Sequence, residues 1–333
     1  MPAHTPRKLP AISPRAWEHP TDRAALSVLQ RTGGLAEVIR MIVGGTTERS
    51  LRLLHVAGAV KVTDTQFPKV RQMLARSAEV LDWPALPDVF VTNSPFFNAG
   101  AIGVKEPFIV INSATMKMLD DDELSCVVAH ELGHILSGHN VYSTVLWTLL
   151  RLSVGALPIA GLLVTPLVLA LKEWERASEL TADRAALLAL QSEQENYNVL
   201  MKLAGGGDLS QMNVNDFFQQ AWEYENQKTI LDSAFKMLNT SGQNHPFPVV
   251  RLQELHTWAA SGQYAEILAG TYPRRGEATP AVGDDLKAGW EHYASAVKNS
   301  DDPLLKTARN VGDSIGKATE GLRGALKDLL KDK

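Results

Sequence analysis

One cysteine, Cys126, occurs in 333 residues. This excludes an intramolecular disulfide and a cysteine-type zinc site, and it fits a reducing compartment. A basic excess is also missing. Lys and Arg number 33 against 37 Asp and Glu, for a net charge of −4, so nothing points to a nucleic-acid partner. The first twenty residues, MPAHTPRKLPAISPRAWEHP, lack the apolar core of a secretory signal, and the expected address is the cytoplasm. No internal repeat is present. Long apolar runs are scarce, with one exception: residues 152–171 are twenty positions without a charge. A composition that is 45% hydrophobic and 21% charged fits one large globular domain with appendages, or two modest ones.

Against these absences stands the stretch Val127-Val-Ala-His-Glu-Leu-Gly-His-Ile135, in which His130, Glu131 and His134 spell H-E-x-x-H. On a helix the two histidines lie one turn apart on the same face, so both imidazoles can reach one metal ion. Glu131 sits beside them, where a carboxylate can take a proton from water at that metal. The flanking Val127, Val128, Leu132, Ile135 and Leu136 predict a buried helix with its polar residues confined to one stripe. Such a stripe is costly to bury without a purpose. Cys126, next to it, reads as a buried structural thiol.

The elements around this motif follow from periodicity. Residues 1–21 form an extended, Pro-rich lead-in. Over 22–81 apolar residues recur at three and four, punctuated by Gly33-Gly34 and Gly44-Gly45, which predicts a layer of three or so helices. In 85–140 the period changes. Val89–Val91, Ala99–Val104 and Phe108–Ile111 read as strands, with a turn at Lys105-Glu106-Pro107. Ser113 is placed to cap a short helix, and Asp120 with Glu123 resembles a capping box opening the metal helix. The expected fold class is α+β, mostly helical, with a small β-sheet beside the H-E-x-x-H helix and helical N- and C-terminal layers. An extended peptide could pair with an exposed strand there and be held across the metal. Gly100 and Gly103 would permit close approach of its backbone, or serve as bulges.

The uncharged run is long enough for one membrane crossing. A single crossing would place downstream carboxylates on the opposite side of the bilayer from His130 and His134, and two crossings need more residues than the stretch offers. Pro158 and Pro166 therefore suggest a broken apolar hairpin over 141–171, packed in the domain or dipping into one leaflet. Residues 172–262 should hold a long helix from about 173 to 203, then helices over 214–238 and 249–260. Residues 273–333 read as a linker and a weakly amphipathic tail.

A hydrolytic zinc site takes three protein ligands. The extended motif with a third histidine fails here, because His139 comes one position early and a serine replaces the glycine. His139 reads instead as a structural histidine at the end of the metal helix. A glutamate must then supply the third ligand. Glu173, Glu175 and Glu179 all follow the apolar run, and Glu175/Glu179 and Glu179/Asp183 share the same i, i+4 spacing. Spacing alone does not choose. The small residues Ala177, Ala182, Ala185 and Ala186 suit close helix packing and favour Glu179 with Asp183, one to bind metal and the other to orient a ligating imidazole.

Four passages resemble the HtpX and CAAX prenyl protease family of gluzincin metallopeptidases. They are Phe97-Asn-Ala-Gly with Pro107-Phe-Ile-Val-Ile-Asn-Ser113; Asp121-Asp-Glu-Leu through H-E-L-G-H to His139; Glu179-Leu-Thr-Ala-Asp-Arg184; and His245-Pro246 with Arg251. Together they cover about residues 80–260. The resemblance implies a zincin-like domain over 22–272, with one zinc held by His130, His134 and Glu179. It implies Glu131 as general base and Asp183 in support. His245 would lie near the scissile carbonyl and Arg251 would be a structural partner. Asn98, with Ala99 and Gly100 after it, would lie on the substrate-side strand. Membrane members of that family carry spanning helices before the metal motif, and this chain has none there.

The resulting expectation is a zinc-dependent endopeptidase acting on peptide or protein substrates through a metal-activated water. Two alternatives stand beside it. One is a quality-control protease with the 141–171 hairpin, or the tail, at a membrane. The other is a non-catalytic binding module that keeps the zinc fold.

Overall fold

The computed structural model describes residues 5–31, 39, 47–155, 158–226 and 247–277. Helices dominate, with one four-stranded mixed sheet. The N-terminal layer comprises α1 (Pro20–Arg31), α2 (Thr47–Gly58) and α3 (Pro68–Val80). The sheet follows as β1 (Val60–Lys61), β2 (Asp88–Thr92), β3 (Ala99–Ile102) and β4 (Phe108–Asn112), in the spatial order β1-β2-β4-β3. Strands β2 and β4 run parallel, and β3 pairs antiparallel to β4 with Ala99 opposite Ile111. β3 is therefore an edge.

Both faces of this sheet are covered, which is why β4 reads as an unbroken apolar run. Val89, Val91, Ile109 and Ile111 face the main core. Phe90, Phe108 and Val110 point the other way, and the His55 ring of α2 lies against Phe90 and Phe108.

The main-core side is occupied by α5 (Asp121–Leu136), preceded by the short α4 (Ser113–Met118). The capping box is present. The Asp120 carboxylate accepts from the Glu123 backbone N–H at 2.9 Å, and Glu123 returns a bond to the Asp120 N–H at 2.9 Å. Three acidic residues in the first turn complement the helix dipole. The helix ends where Gly138 takes φ +74°, a conformation open to glycine at little cost. Val128, Ala129 and Leu132 are fully buried, and each large side chain contributes roughly 1.5–3 kcal/mol.

Beyond it come α6 (His139–Gly155), α7 (Pro158–Leu190), α8 (Glu193–Gly205), α9 (Val214–Asn226), α10 (Pro248–Ala260) and α11 (Gln263–Ala269). Helices α5 and α7 pack so closely that a Cβ on Gly133 would stand 2.6 Å from the Ala185 Cβ.

Several local expectations are corrected. Val60–Lys61 is a strand, not helix, because Val60 finds Val91 across the sheet. Ser113 does not cap α4; its hydroxyl bonds Ser94 instead. Helix α7 runs through Pro166 without a boundary near 171, the single lost ladder bond being tolerable in a helix of 33 residues. The helix expected over 173–203 is interrupted at Gln191, which adopts φ +54° while its side chain exchanges two hydrogen bonds with the Arg7 backbone. That contact spans 184 positions, beyond any local pattern.

The N-terminal segment is bound into the domain. Leu9, Ile12 and Trp17 are buried, and residues 273–275, read as the start of a linker, pair with 11–13 through an Ile12–Arg274 bridge and two flanking backbone bonds. At the base of the 141–171 segment, Val145, Leu146, Leu149, Leu171 and Trp174 pack with Leu29 of α1. Among the described residues no helix is long and apolar enough to cross a membrane.

Candidate active site

Three helices supply the site. Helix α5 carries His130, Glu131 and His134, α7 carries Glu179 and Asp183, and α10 carries Arg251; all six side chains are buried. The His130 and His134 Nε2 atoms are 3.1 Å apart. The Glu179 carboxylate oxygens lie 3.4 Å and 3.3 Å from them. Among the described residues these three form the group able to hold a metal ion. Glu179, not Glu175, is the carboxylate that joins the histidines. Ligands about 2.0–2.1 Å from a tetrahedral ion are themselves about 3.3–3.4 Å apart, so the donor triangle has the right size.

The other ring nitrogens point outward to partners. His130 Nδ1 lies 3.0 Å from Asp183 Oδ1. His134 Nδ1 lies 2.9 Å from His139 Nδ1, and His139 Nε2 is 2.9 Å from Asp22 Oδ2. Arg251 joins the carboxylates, donating to both Asp183 oxygens at 2.8 and 2.6 Å and lying 3.1 Å from Glu179. A bidentate guanidinium of this kind offsets much of the cost of burying two acids.

Electrostatics follows from the geometry. Burial works against ionised Asp183, but Arg251 and His130 outweigh it and hold the carboxyl down at about 2. Burial likewise opposes a charged His130, yet Asp183 and Glu179 lift it to about 10. Burial, helped by the neighbouring His130, lowers His134 to about 4 despite Glu179. Burial pushes the Cys126 thiol up, and its Sγ bonds Asn196 at 3.1 Å, as suits a structural thiol.

Of the residues expected on the substrate side, Ala99 and Gly100 lie on edge strand β3, which packs against α5 and α6. Asn98 precedes the strand, its backbone gripped on both sides by the Thr115 hydroxyl at 2.8 Å. His245 lies outside the described residues. His139 is the hydrogen-bonded structural histidine expected at the end of the metal helix, but its partners, His134 on one side and Asp22 on the other, went unread in the sequence. Nothing in the pattern around Asp22 signals its contact, while the position of His139, five residues after His134, offers a weak hint.

The profile of peptidase family M48 matches residues 64–259. The chain is 35% identical over 258 residues to the plastoglobule-localized metallopeptidase 48 of Arabidopsis thaliana chloroplasts, a match covering 76% of this chain and 74% of that one. Protease HtpX homologs match over shorter spans. That of Helicobacter pylori strain J99 is 35% identical over 77 residues, covering 22% of this chain and 25% of its own. That of Salinibacter ruber is 33% identical over 125 residues, covering 35% and 45%. No solved structure matches significantly. The family profile spans strands β2 to β4, the metal-type triangle and Arg251 alike, and on that extent of agreement the chain belongs to peptidase family M48, the metallopeptidases that include HtpX.

Proposed function

We propose that the protein is a zinc-dependent endopeptidase, with zinc held by His130, His134 and Glu179. The observation that carries this reading is the convergence of two Nε2 atoms and one carboxylate in a buried triangle of ligand-sized edges. When bound there, zinc would polarise the scissile carbonyl and make water a competent nucleophile near neutral pH. Glu131, next to His130 on the same face-forming turn, takes the proton of the attacking water and hands it to the leaving amine. Asp183 accepts from His130 Nδ1 and so leaves Nε2 free as a donor. Arg251 holds Asp183 and Glu179 in place. His245 is assigned the steadying of the developing oxyanion.

Among the described residues β3 is an outermost strand of the sheet, which favours an extended peptide as substrate, added as a further strand past Asn98, Ala99 and Gly100. The cytoplasm, with its reducing conditions, remains the address proposed from the lone cysteine.

The test is elemental zinc content of wild type and Glu179→Ala, with hydrolysis of casein. One zinc per chain, lost in the variant, together with chelator-sensitive cleavage, is the expected result. A protein that retains zinc without Glu179 would refute the ligand set. Zinc without cleavage would favour the binding-module reading.

A further inference from the structure

The outward nitrogen of His130 ends on a carboxylate; that of His134 ends on a second histidine, which itself ends on a carboxylate from the N-terminal helix. We propose that Asp22 and His139 form a two-residue relay that positions His134 and fixes its tautomer, an inference that rests on His134 being a metal ligand.

The proton count leaves one arrangement. For His134 to offer the Nε2 lone pair beside Glu179, its proton must sit on Nδ1. That N–H is buried and needs an acceptor, and the atom at 2.9 Å is His139 Nδ1. His139 Nδ1 accepts only when the His139 proton is on Nε2, and there the Asp22 carboxylate receives it at 2.9 Å. His139 and Asp22 are each 2% exposed, so water does not compete for these bonds.

Asp22 is held in turn. The Thr181 hydroxyl, on α7 between Glu179 and Asp183, donates to Asp22 Oδ2 at 2.7 Å and accepts from the His19 backbone N–H at 2.9 Å. Burial pushes the Asp22 carboxyl up, while the hydrogen bonds it accepts from the His139 ring and the Thr181 hydroxyl favour its ionised form. The Trp174 ring packs against His139 in an edge-to-face arrangement, the ring centroids 5.5 Å apart. Helix α1 thereby reaches the metal centre without touching it. Its removal would loosen a ligand, not merely uncover core.

Zinc affinity, read by competition with a chromophoric chelator, tests this on the full chain. His139→Leu should weaken binding ten- to hundredfold. His139→Gln, which restores an acceptor oxygen, should recover most of the loss. Asp22→Ala should cost a similar factor alone and nothing further in the His139→Leu background, since the relay is then already cut. Nitrogen NMR of the histidine rings in zinc-loaded wild type supplies a readout free of variants: His134 protonated on Nδ1 and His139 on Nε2. Wild-type affinity in His139→Leu, additive losses, or His139 protonated on Nδ1 would each overturn the relay. Wild type that binds no zinc would instead overturn the function proposed above, and the relay with it.

Discussion

Gly133→Ala adds one methyl group where the two site-bearing helices touch. Its Cβ would stand 2.6 Å from the Ala185 Cβ, with Ala182 backbone atoms at 3.5–3.6 Å behind. Non-bonded carbons settle at about 3.5–4.0 Å, so α5 and α7 must part by about 1 Å. Neither atom is the end of a flexible chain that could swing away. Overpacking of this kind costs about 1–3 kcal/mol, while replacing glycine within a helix returns about 1 kcal/mol. The net loss of stability is then small, about 0–2 kcal/mol. The effect on the site is larger. Gly133 adjoins His134, and Ala185 lies two residues beyond Asp183, so the same shift opens the 3.3 Å and 3.4 Å edges between the histidines and Glu179. Misplacement by about 1 Å is worth about a hundredfold in activity. Chelator competition and casein hydrolysis should show zinc affinity and turnover both falling, while thermal unfolding of the metal-free protein moves by a few degrees. Ala185→Gly in the same chain moves the methyl across the interface and should restore both. Wild-type zinc affinity in the single variant would refute the idea that this contact sets the ligand spacing.

Three further outcomes follow from the same geometry. Glu131→Gln should keep stoichiometric zinc and lose about 10²–10⁴ in turnover; full activity would remove Glu131 from the mechanism. Arg251→Leu leaves Asp183 and Glu179 as buried acids without their guanidinium, a loss of about 3–5 kcal/mol in chemical unfolding of the metal-free protein, part of which added zinc should recover. For pH, His19 is the informative group. Burial lowers it below its ordinary value of 6.5, and the bond to Glu254 offsets this only in part. The unfolded chain therefore binds the proton more readily. Stability is intact above about pH 6.5 and declines as pH falls through the folded value. Chemical unfolding at pH 7.5 and pH 5 should show this loss, and His19→Gln should reduce it; an unchanged slope would clear His19.

What could be read from the sequence was local. The capping box at Asp120 and Glu123 and the i, i+4 pair His130 and His134 depend on neighbours within a few positions, the strands 88–92 and 108–112 show in their own β-branched composition, and each appears where its pattern puts it. Such contacts form with little loop-closure cost in almost any tertiary setting, which is why the sequence alone determines them. Other features were decided only by the folded chain. Glu175 and Glu179 have equivalent spacing, and Glu179 joins the histidines because Gly133 and Ala185 bring α5 and α7 into register. The break at Gln191 needs the backbone of Arg7, and the strand at Val60 needs β2 beside it. The Asp22 contact with His139 crosses more than a hundred positions. In each of these the partner is remote in sequence, so no periodicity records it. Packing selects it from several carboxylates or backbones of equal local merit.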